Sequence, residues 1–292
     1  MKEVVIISGK GGTGKTSIVG SFAVLAQRKV LCDCDVDAAD LHLLLQPQIK
    51  EDHEFRSGET AFIEQEKCTQ CGLCQDVCRF DAIHNFTVDP ASCEGCGFCS
   101  HICPEEAIAM RENLAGRWFV SDTKHGPLVH ARLGIAAENS GKLVAKVRNE
   151  AKRIAEEKGM EYIITDGPPG IGCPVISSLS GASLALIVTE PTLSGIHDME
   201  RVLGVCRHFG IPALVCINKY DLNLENTSQI QSQCRDLDVP VVARIPFDNV
   251  VTEALIRGLP VVEYSNGRVV QQIKSLWERL SSEVIKHANL RI

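Results

Sequence analysis

The chain reads Gly9-Lys10-Gly11-Gly12-Thr13-Gly14-Lys15-Thr16 between an apolar strand pattern at Val4–Ser8 and a helical pattern at Thr16–Lys29. This stretch fits G-x-x-x-x-G-K-[ST], in the strand-to-helix setting that the pattern requires. Backbone N–H groups of such a turn cradle phosphate oxygens, and the positive end of the following helix faces the same anion. The alternative, an ordinary glycine-rich turn, does not account for the flanking strand and helix.

The pattern assigns roles to individual residues of the loop. Lys15 is expected to reach the β and γ phosphates of a nucleotide, and the Thr16 hydroxyl is expected to ligate Mg²⁺. The predicted nucleotide-binding residues of the loop are Gly11, Gly12, Thr13, Gly14, Lys15, Thr16 and Ser17.

Strand and helix patterns alternate over most of the remaining chain. We predict strands at Val30–Cys34, Arg117–Val120, Pro127–Leu133, Tyr162–Asp166, Leu184–Thr189, Ala213–Asn218 and Val241–Ile245, and helices at Gly141–Lys158 and Gln271–Lys286. This alternation indicates an α/β fold with a doubly wound, mostly parallel sheet, which binds ligands at the carboxyl ends of its strands. The alternation stops between about Glu51 and Glu112, where eight cysteines stand. We therefore predict one domain made of residues 1–55 and 113–292, with a small α+β domain inserted at 56–112.

The phosphate loop carries a second lysine, Lys10. In this it resembles the deviant Walker A loops of the MinD, ParA, nitrogenase iron protein and Mrp-type ATPases. The resemblance implies that Lys10 reaches the partner's nucleotide in a sandwich dimer. The alternative is a lysine that is merely solvated at the edge of the loop.

Later segments match the same family in order and in position. In Cys32-Asp33-Cys34-Asp35 the resemblance implies that Asp35 orients the attacking water and that Asp33 lies close to Mg²⁺. Asp166-Gly-Pro-Pro-Gly170 resembles the Walker B strand end, which implies that Asp166 holds a Mg²⁺-bound water. The expected catalytic residues are therefore Lys10, Lys15, Asp35 and Asp166, and the Mg²⁺ site would comprise Thr16, Asp33 and Asp166.

Two segments bear on the nucleotide base. The resemblance implies that Asn218, in Asn218-Lys219-Tyr220-Asp221, reads the adenine edge, and that the segment containing Pro246 packs beside the base. The first segment also resembles the N-K-x-D guanine motif of GTPases. The type of phosphate loop favours ATP.

The cysteine-rich segment contains two runs of C-x₂-C-x₂-C-x₃-C, repeated after 25 residues. This is the spacing of two-cluster bacterial ferredoxins, in which the fourth cysteine of each run ligates the other cluster. That arrangement implies one [4Fe–4S] cluster on Cys68, Cys71, Cys74 and Cys103, and another on Cys93, Cys96, Cys99 and Cys78. Zinc is the alternative, although it typically uses separated C-x₂-C pairs. The sequence departs from the ferredoxin pattern at Arg79, where proline is usual.

The combination resembles the MinD-superfamily P-loop ATPases that contain an inserted ferredoxin domain. The resemblance implies ATP, Mg²⁺ and two [4Fe–4S] clusters as cofactors. It also implies a homodimer, or a heterodimer with a close homologue, that serves metal-cluster assembly and transfer. The alternative function is ATP-gated electron donation from the ferredoxin clusters to a partner. Either function requires an acceptor protein.

Charge and cysteine content limit the compartment and the partners. Fourteen cysteines in a cytosolic chain do not form a disulfide framework, because thiols are kept reduced there. The net charge of −7 resides in the segment Asp52–Glu112, where 12 acidic and 4 basic residues give −8. This disfavours nucleic acid and leaves open a basic docking partner or a plainly solvated acidic surface. No apolar run is long enough to span a bilayer, so we expect a cytoplasmic protein without stable membrane insertion.

Six cysteines lie outside the two runs. We expect Cys216 to lie in the core and Cys206 and Cys234 to be small packing residues on helices. We expect Cys32 and Cys34 to pack beneath the sheet. Cys173 follows Asp166 at a spacing that resembles the cluster-binding cysteine of the nitrogenase iron protein. A metal or redox role for Cys173 and a buried structural thiol both remain open.

Overall fold

The computed structural model describes residues 1–134 and 140–289, with side chains through residue 284. The chain divides into two compact units. The large unit comprises Met1–His53, Trp118–Arg132 and Ser140–Ile292, and the small unit comprises Glu54–Arg117 and Leu133–Asn139. The small unit contains both cysteine runs. That it is a ferredoxin-like domain stays a prediction.

The elements alternate between strands and helices through most of the large unit. The strands are β1 (Lys2–Ser8), β2 (Lys29–Asp33), β3 (Gln48–Ile63), β4 (Ile83–His84), β5 (Thr87–Val88), β6 (Ile108–Thr123), β7 (Gly126–Leu133), β8 (Tyr162–Pro169), β9 (Leu184–Thr189), β10 (Ala213–Asn218) and β11 (Val241–Ile245). The helices are α1 (Lys15–Leu25), α2 (Leu41–Leu45), α3 (Leu73–Asp76), α4 (Phe98–Ile102), α5 (Ser140–Glu157), α6 (Cys173–Leu179), α7 (Leu193–His208), α8 (Leu224–Asp236), α9 (Asn249–Ile256), α10 (Val261–Tyr264) and α11 (Arg268–Asn289). A 3₁₀ turn covers Tyr220–Leu222.

The central sheet is largely parallel, as predicted. Its strand order is β11-β10-β9-β1-β8-β2-β7-β6-β3, and every neighbouring pair from β11 to β7 is parallel. β6 and β7 are joined only by Lys124 and His125, a connection that suits antiparallel strands alone.

Helices cover both faces of the sheet, which confirms the doubly wound arrangement of the core. One apolar cluster joins α1, α2 and α11 to the sheet through side chains such as Phe22, Leu41 and Leu276. The other joins α6, α7 and α8 to the opposite face through Val175, Met199 and similar side chains.

The predictions and the structure differ in several elements, among them the strand predicted at Arg117–Val120, which forms part of the longer β6. The predicted helix Thr16–Lys29 ends earlier, at Leu25, because Ala26 has an extended backbone and Lys29 already begins β2. No strand was predicted at Gln48–Ile63, because β3 is mostly exposed and polar and lacks an apolar stripe. Such strands are specified by their sheet neighbours more than by their own residues.

The parallel order brings the carboxyl ends of β1, β2, β8 and β10 to one edge of the sheet. Asp33 at the end of β2 stands directly opposite Asp166 of β8 in the strand register. Gly167 follows, and a Cβ there would meet the Ile6 carbonyl oxygen at 2.9 Å. Glycine at this position therefore allows β8 to lie close against β1 just before the phosphate loop.

Candidate functional site

The phosphate loop runs from the end of β1 to the start of α1. Gly14 caps α1 with a left-handed backbone (φ 87°), and a Cβ at this position would overlap the Asn218 amide nitrogen. That nitrogen donates a 2.7 Å hydrogen bond to the Thr13 carbonyl, so β10 braces the loop. The loop opens on a cavity of about 450 Å³. The cavity is lined by Ser8, Gly11, Gly12, Thr13, Gly14, Lys15, Thr16, Ser17, Asp35, Ala38, Asp40, Leu43, Leu44, Pro169 and Leu255.

Lys15 is the cation at the centre of the site. Its side chain is only 6% exposed, its Nζ donates to Asp166 Oδ1, and it lies 3.6 Å from Asp35 Oδ2. Burial lowers the pKa of Lys15, but the surrounding carboxylates of Asp166, Asp35 and Asp33 raise it above its ordinary value. The ammonium therefore stays charged at neutral pH.

Asp33 is held by backbone groups. Its Oδ1 accepts a hydrogen bond from Asp35 N (3.1 Å) and its Oδ2 accepts one from Leu41 N (3.3 Å). Burial raises the pKa of the Asp33 carboxyl well above its usual range, and the neighbouring Asp166 carboxylate raises it further. These bonds fix the turn that presents Asp35 to the cavity.

Asp35 is less enclosed than Asp33 and lines the cavity directly. Burial raises the pKa of Asp35 to about 6, against the opposing effect of the Lys15 ammonium. A carboxyl with this pKa, next to a phosphate-sized cavity, can accept a proton from a water molecule or orient one.

The donor set fits Mg²⁺. Asp166 Oδ2 is buried without a hydrogen-bond partner among the described residues. Thr16 and Asp35 line the phosphate-loop cavity, and Asp166 lies next to it through its bond from Lys15, which also lines the cavity. Oxygen ligands from a carboxylate and a hydroxyl are those that Mg²⁺ prefers beside nucleotide phosphates. An unpaired buried carboxylate oxygen is costly, and a metal-bound water at this point would satisfy it.

Lys10 is not merely solvated at the edge of the loop. Its Nζ lies 2.7 Å from Glu190 Oε1 and donates to the hydroxyls of Thr192 (3.2 Å) and Ser194 (3.0 Å). Lys219 Nζ donates to the other Glu190 oxygen (3.1 Å) and to the Gly12 carbonyl (3.0 Å). Hydrogen bonds from the two lysines lower the pKa of Glu190, although burial opposes them. Glu190 thus holds two lysines beside the phosphate loop.

No sequence pattern indicated this role for Glu190. The residue follows β9 in Thr-Glu-Pro, and its partner Lys10 lies 180 residues earlier in the chain. The only local hint was its position at the carboxyl end of a parallel strand, where sites in such sheets gather.

The two segments predicted to contact the base make other contacts in the structure. Asn218 and Lys219 both contact the phosphate loop, as described above. Asp221 accepts a 2.7 Å hydrogen bond from Phe247 N and so ties the second segment to the first. Pro246 is buried and does not line the loop cavity. Base recognition by Asn218 and Pro246 stays a prediction.

The small unit contains two pockets lined by cysteines. One is lined by Cys68, Cys71, Cys74 and Cys103, and its cavity volume is about 20 Å³. The other is lined by Cys78, Cys93, Cys96 and Cys99, and its cavity volume is also about 20 Å³. Each pocket thus combines three cysteines of one run with the fourth cysteine of the other.

The two runs also have matching backbones. Gly72 (φ 85°) and Gly97 (φ 72°) begin the short helices α3 and α4 with left-handed conformations. Ala82 N donates to Cys78 Sγ (3.3 Å), and Ala107 N donates to Cys103 Sγ (3.4 Å). The Ala-Ile pair after each run therefore provides an N–H···S bond at the same place in both copies.

Among the described residues, no three His, Cys, Asp or Glu side chains gather as they would around a single metal ion. A four-iron cube differs from a single ion because each thiolate binds a different iron, so its four sulfurs stand farther apart. The chemistry of the two donor sets, four thiols each, fits [4Fe–4S] clusters.

The remaining cysteines are mostly buried, as expected. Cys206, Cys216 and Cys234 lie in the core, and Cys32 Sγ lies 3.5 Å from Cys34 Sγ. Cys173 is exposed at the start of α6, so the prediction of a buried structural thiol there is wrong. The turn Gly172-Cys173-Pro174 places this thiol at a helix start and outside the core.

In the part of the chain that the structure describes, no helix has both the length and the apolar character needed to cross a bilayer.

Comparison with known proteins gives consistent matches. A model of the family described as the CobQ/CobB/MinD/ParA nucleotide binding domain matches residues 4–261. Protein MJ0578 of Methanocaldococcus jannaschii is 37% identical over 284 residues, which cover 95% of this chain and 96% of that protein. The septum site-determining protein MinD of Thermotoga maritima is 23% identical over 298 residues, with 98% and 90% coverage.

A solved structure shares the fold. The structure of the septum site-determining protein MinD from Pyrococcus horikoshii, complexed with Mg-ADP, aligns with a TM-score of 0.59 at 20% identity. The alignment covers 96% of this chain and 95% of that one.

Proposed function

Since the chain belongs to the CobQ/CobB/MinD/ParA nucleotide-binding domain family, we propose that it binds and hydrolyses MgATP and holds two [4Fe–4S] clusters in its small unit. Nucleotide-driven closure of a dimer would drive assembly or transfer of an iron–sulfur or mixed-metal cluster to an acceptor protein.

One observation carries the cluster proposal. Two separate pockets of similar size each bring four cysteines together, and each draws one cysteine from the other run. A disulfide framework or a chance clustering would not reproduce this exchange twice. Zinc would draw four thiolates onto one ion, and the ratio of iron to zinc per chain distinguishes the two.

The nucleotide roles follow from the loop geometry. The backbone of Gly11–Ser17 would hold the phosphates, and Lys15 would exchange its bond to Asp166 for one to a phosphate oxygen. Mg²⁺ held by Thr16 and Asp166, with Asp33 nearby, would supply positive charge to the phosphates. Asp35 would orient the attacking water.

The dimer and the base site complete this proposal. Lys10 would leave Glu190 and reach the nucleotide bound by the other subunit, whether that subunit is a second copy or a close homologue. Asn218 and Pro246 would contact the adenine. A competition experiment between ATP and GTP tests the base assignment, and tighter binding of GTP would overturn it.

Binding of MgATP is tested with Lys15→Ala. Removal of the buried ammonium that donates to Asp166 should abolish nucleotide binding as measured by equilibrium dialysis. Normal ATP turnover by this variant would rule out the assignment of the phosphate loop.

Cluster transfer is tested by iron counting. Anaerobically purified protein should contain about eight irons per chain, the sum of two four-iron clusters. It is incubated with MgATP and a purified apo-ferredoxin and then separated from it. MgATP-dependent loss of iron, with a matching gain by the acceptor, is the expected result.

ATP-gated electron donation is the second candidate. It is favoured by the exposure of one cysteine in each pocket, Cys71 and Cys96, because exposed ligands shorten the path to a docked partner. Unchanged iron content, together with nucleotide-dependent reoxidation of the reduced protein followed by EPR, would select this function over transfer.

A further inference from the structure

A second polar cavity lies along β11, the edge strand of the sheet, and is separate from the phosphate loop. Its volume is about 360 Å³. It is lined by Tyr220, Gln231, Val241, Ala243, Arg244, Arg268, Gln272 and Arg279. Three of these eight side chains are arginines, none is acidic, and none lines the phosphate-loop cavity.

The three arginines are held in place by neutral groups. Arg268 donates a 3.1 Å hydrogen bond to the Tyr220 hydroxyl, and Arg279 donates a 2.8 Å bond to the Val242 carbonyl. The Arg244 guanidinium stands 5.5 Å from the centre of the Tyr220 ring. Each guanidinium carries five N–H donors, so most donors of all three remain for a ligand.

The charge of this cavity is uncompensated within the described residues. Arg244, Arg268 and Arg279 form no ion pair there, although the chain as a whole is acidic at −7. Three guanidinium groups that line one cavity repel each other, because arginine side chains are cations. All three side chains are exposed, so an anion in the cavity would offset this repulsion and accept hydrogen bonds from donors that otherwise face solvent.

We propose that this cavity binds a small polyanion with two or more phosphate or carboxylate charges. Arginine forks match the geometry of both groups, and the Gln231 and Gln272 amides offer further neutral donors. The volume suits a metabolite-sized ligand. The lining lacks the exposed apolar anchors on which a protein partner would dock, and three arginines around one cavity do not form the extended row of phosphate contacts that a nucleic-acid backbone needs.

The test is calorimetric titration of the full chain, purified anaerobically and saturated with MgADP so that the phosphate loop is filled. The two probes are inorganic phosphate and succinate, each at the same ionic strength, set with sodium chloride. Saturable binding of at least one probe is expected. Tighter binding of phosphate identifies a phosphate-bearing ligand, and tighter binding of succinate identifies a carboxylate-bearing one.

The variants locate the binding. Arg268→Gln and Arg279→Gln should each lower the affinity for the probe at least tenfold, the factor that corresponds to about 1.4 kcal/mol of binding free energy. Arg201→Gln, on the exposed face of α7, is the matched control and should leave the affinity unchanged. Retained MgADP affinity shows that a variant is folded, and Arg244→Gln replaces any variant that is not.

Three results would overturn the proposal. The first is the absence of saturable binding by either probe. The second is binding that all three cavity variants retain at wild-type strength. The third is tighter binding of a duplex DNA fragment than of either probe at equal ionic strength, together with a loss of DNA affinity in the same variants.

Discussion

At the scale of single residues, the candidate site combines one lysine ammonium with three carboxyl groups. Lys15 alone faces Asp33, Asp35 and Asp166 among the described side chains, so the cluster carries excess negative charge when all three are ionised. Burial and mutual repulsion raise the pKa values of Asp33 and Asp35. Without a nucleotide, the site can therefore reduce its excess negative charge by binding either protons or a divalent cation.

The first prediction concerns pH. A carboxyl whose folded-state pKa lies above its unfolded value stabilises the fold while it is protonated, and this contribution disappears as the pH rises through the folded-state pKa. For Asp35 that pKa is about 6, against 3.8 for the free side chain. Asp35→Asn removes the charge at every pH. The variant should therefore gain stability relative to wild type between pH 5 and pH 8.

Between pH 5 and pH 8 the gain is about 1.4 kcal/mol, because one pKa unit corresponds to this energy and only the interval from pH 5 to the folded-state pKa of about 6 falls in the window. Thermal unfolding of nucleotide-free protein at the two pH values measures it. Asp236→Asn, an exposed carboxyl on α8, is the control and should show no such trend. A melting-temperature difference between Asp35→Asn and wild type that is the same at pH 5 and pH 8 would contradict the prediction.

The second prediction concerns the contact that holds Lys10. Glu190→Gln keeps the shape of the side chain and weakens its ion pairs with Lys10 and Lys219. Because Lys10 must leave Glu190 to reach a partner's nucleotide, the variant should dimerise more tightly with a non-hydrolysable ATP analogue. We expect a gain of severalfold to about tenfold, since a partly exposed charged pair contributes on the order of 1 kcal/mol. Analytical ultracentrifugation measures the dimer affinity, and weaker dimerisation would show that Glu190 instead supports the closed state.

At the scale of elements, the phosphate loop depends on a strand far away in the chain. Asn218 at the end of β10 occupies the space beside Gly14, and its amide donates to the loop. The turn, the start of α1 and the end of β10 therefore form one structural feature. A change in any of them should appear in nucleotide binding.

The third prediction tests this feature. Gly14→Ala adds a Cβ at a left-handed position, a strain on the order of 1 kcal/mol, and displaces the Asn218 amide. Both stability and nucleotide affinity should fall. Gly204→Ala is the matched control: it lies in α7, a Cβ there would meet nothing within 4 Å, and it should stabilise by about 0.5–1 kcal/mol. Thermal unfolding and nucleotide titration measure both variants, and equal effects of the two substitutions would contradict the argument.

The fourth prediction concerns the two cysteine runs. If each cluster takes its fourth ligand from the other run, Cys78 and Cys96 serve the same cluster, whereas Cys78 and Cys71 serve different ones. The double variant Cys78→Ala/Cys96→Ala should therefore retain about four irons per chain, the content of one cluster. Cys78→Ala/Cys71→Ala should retain few or none.

The two double variants are controls for each other, because each removes two thiols from the small unit. Iron analysis of anaerobic protein gives the count. The reverse result, with four irons retained only when Cys71 and Cys78 are both lost, would mean that each run holds its own cluster.

At the scale of the whole molecule, charge is divided unevenly. The small unit segment Glu54–Arg117 contains 11 acidic and 5 basic residues, a net of −6, and clusters with thiolate ligands would make it more negative. An acceptor with a basic surface would be attracted to this unit, and the attraction would weaken with salt. The arginine-lined cavity along β11 belongs to the large unit and has the opposite sign.

The fifth prediction concerns the assembly. A non-hydrolysable ATP analogue should convert the monomer to a dimer in light scattering. Lys10→Ala should bind the analogue with unchanged affinity and stay monomeric, because the lysine contacts Glu190, Thr192 and Ser194 of its own subunit in the free chain. Dimerisation of this variant at wild-type strength would remove the trans-acting role of Lys10.

The strands Leu184–Thr189, Ala213–Asn218 and Val241–Ile245 are confirmed at their predicted ends, because buried parallel strands are continuous apolar runs with polar boundaries. β3 was missed because its exposed, polar residues carry no such signal. In the site, Lys15 was predicted from the contiguous loop motif, and its carboxylates were predicted from the resemblance of two strand-end segments to a known family. Glu190 did not, because its function depends on a tertiary contact that no local pattern encodes.

The exchange of fourth cysteines between the two pockets bears on how the protein is made. The pocket of Cys68, Cys71 and Cys74 gains its last thiol from Cys103, which leaves the ribosome 35 residues after Cys68. If that pocket holds a cluster as proposed, a chain that stops before Cys103 lacks the fourth thiol that the folded pocket uses. Under the proposed exchange of ligands, iron insertion into this pocket would follow the translation and joint folding of both runs, so the chain would not bind iron at an incomplete site.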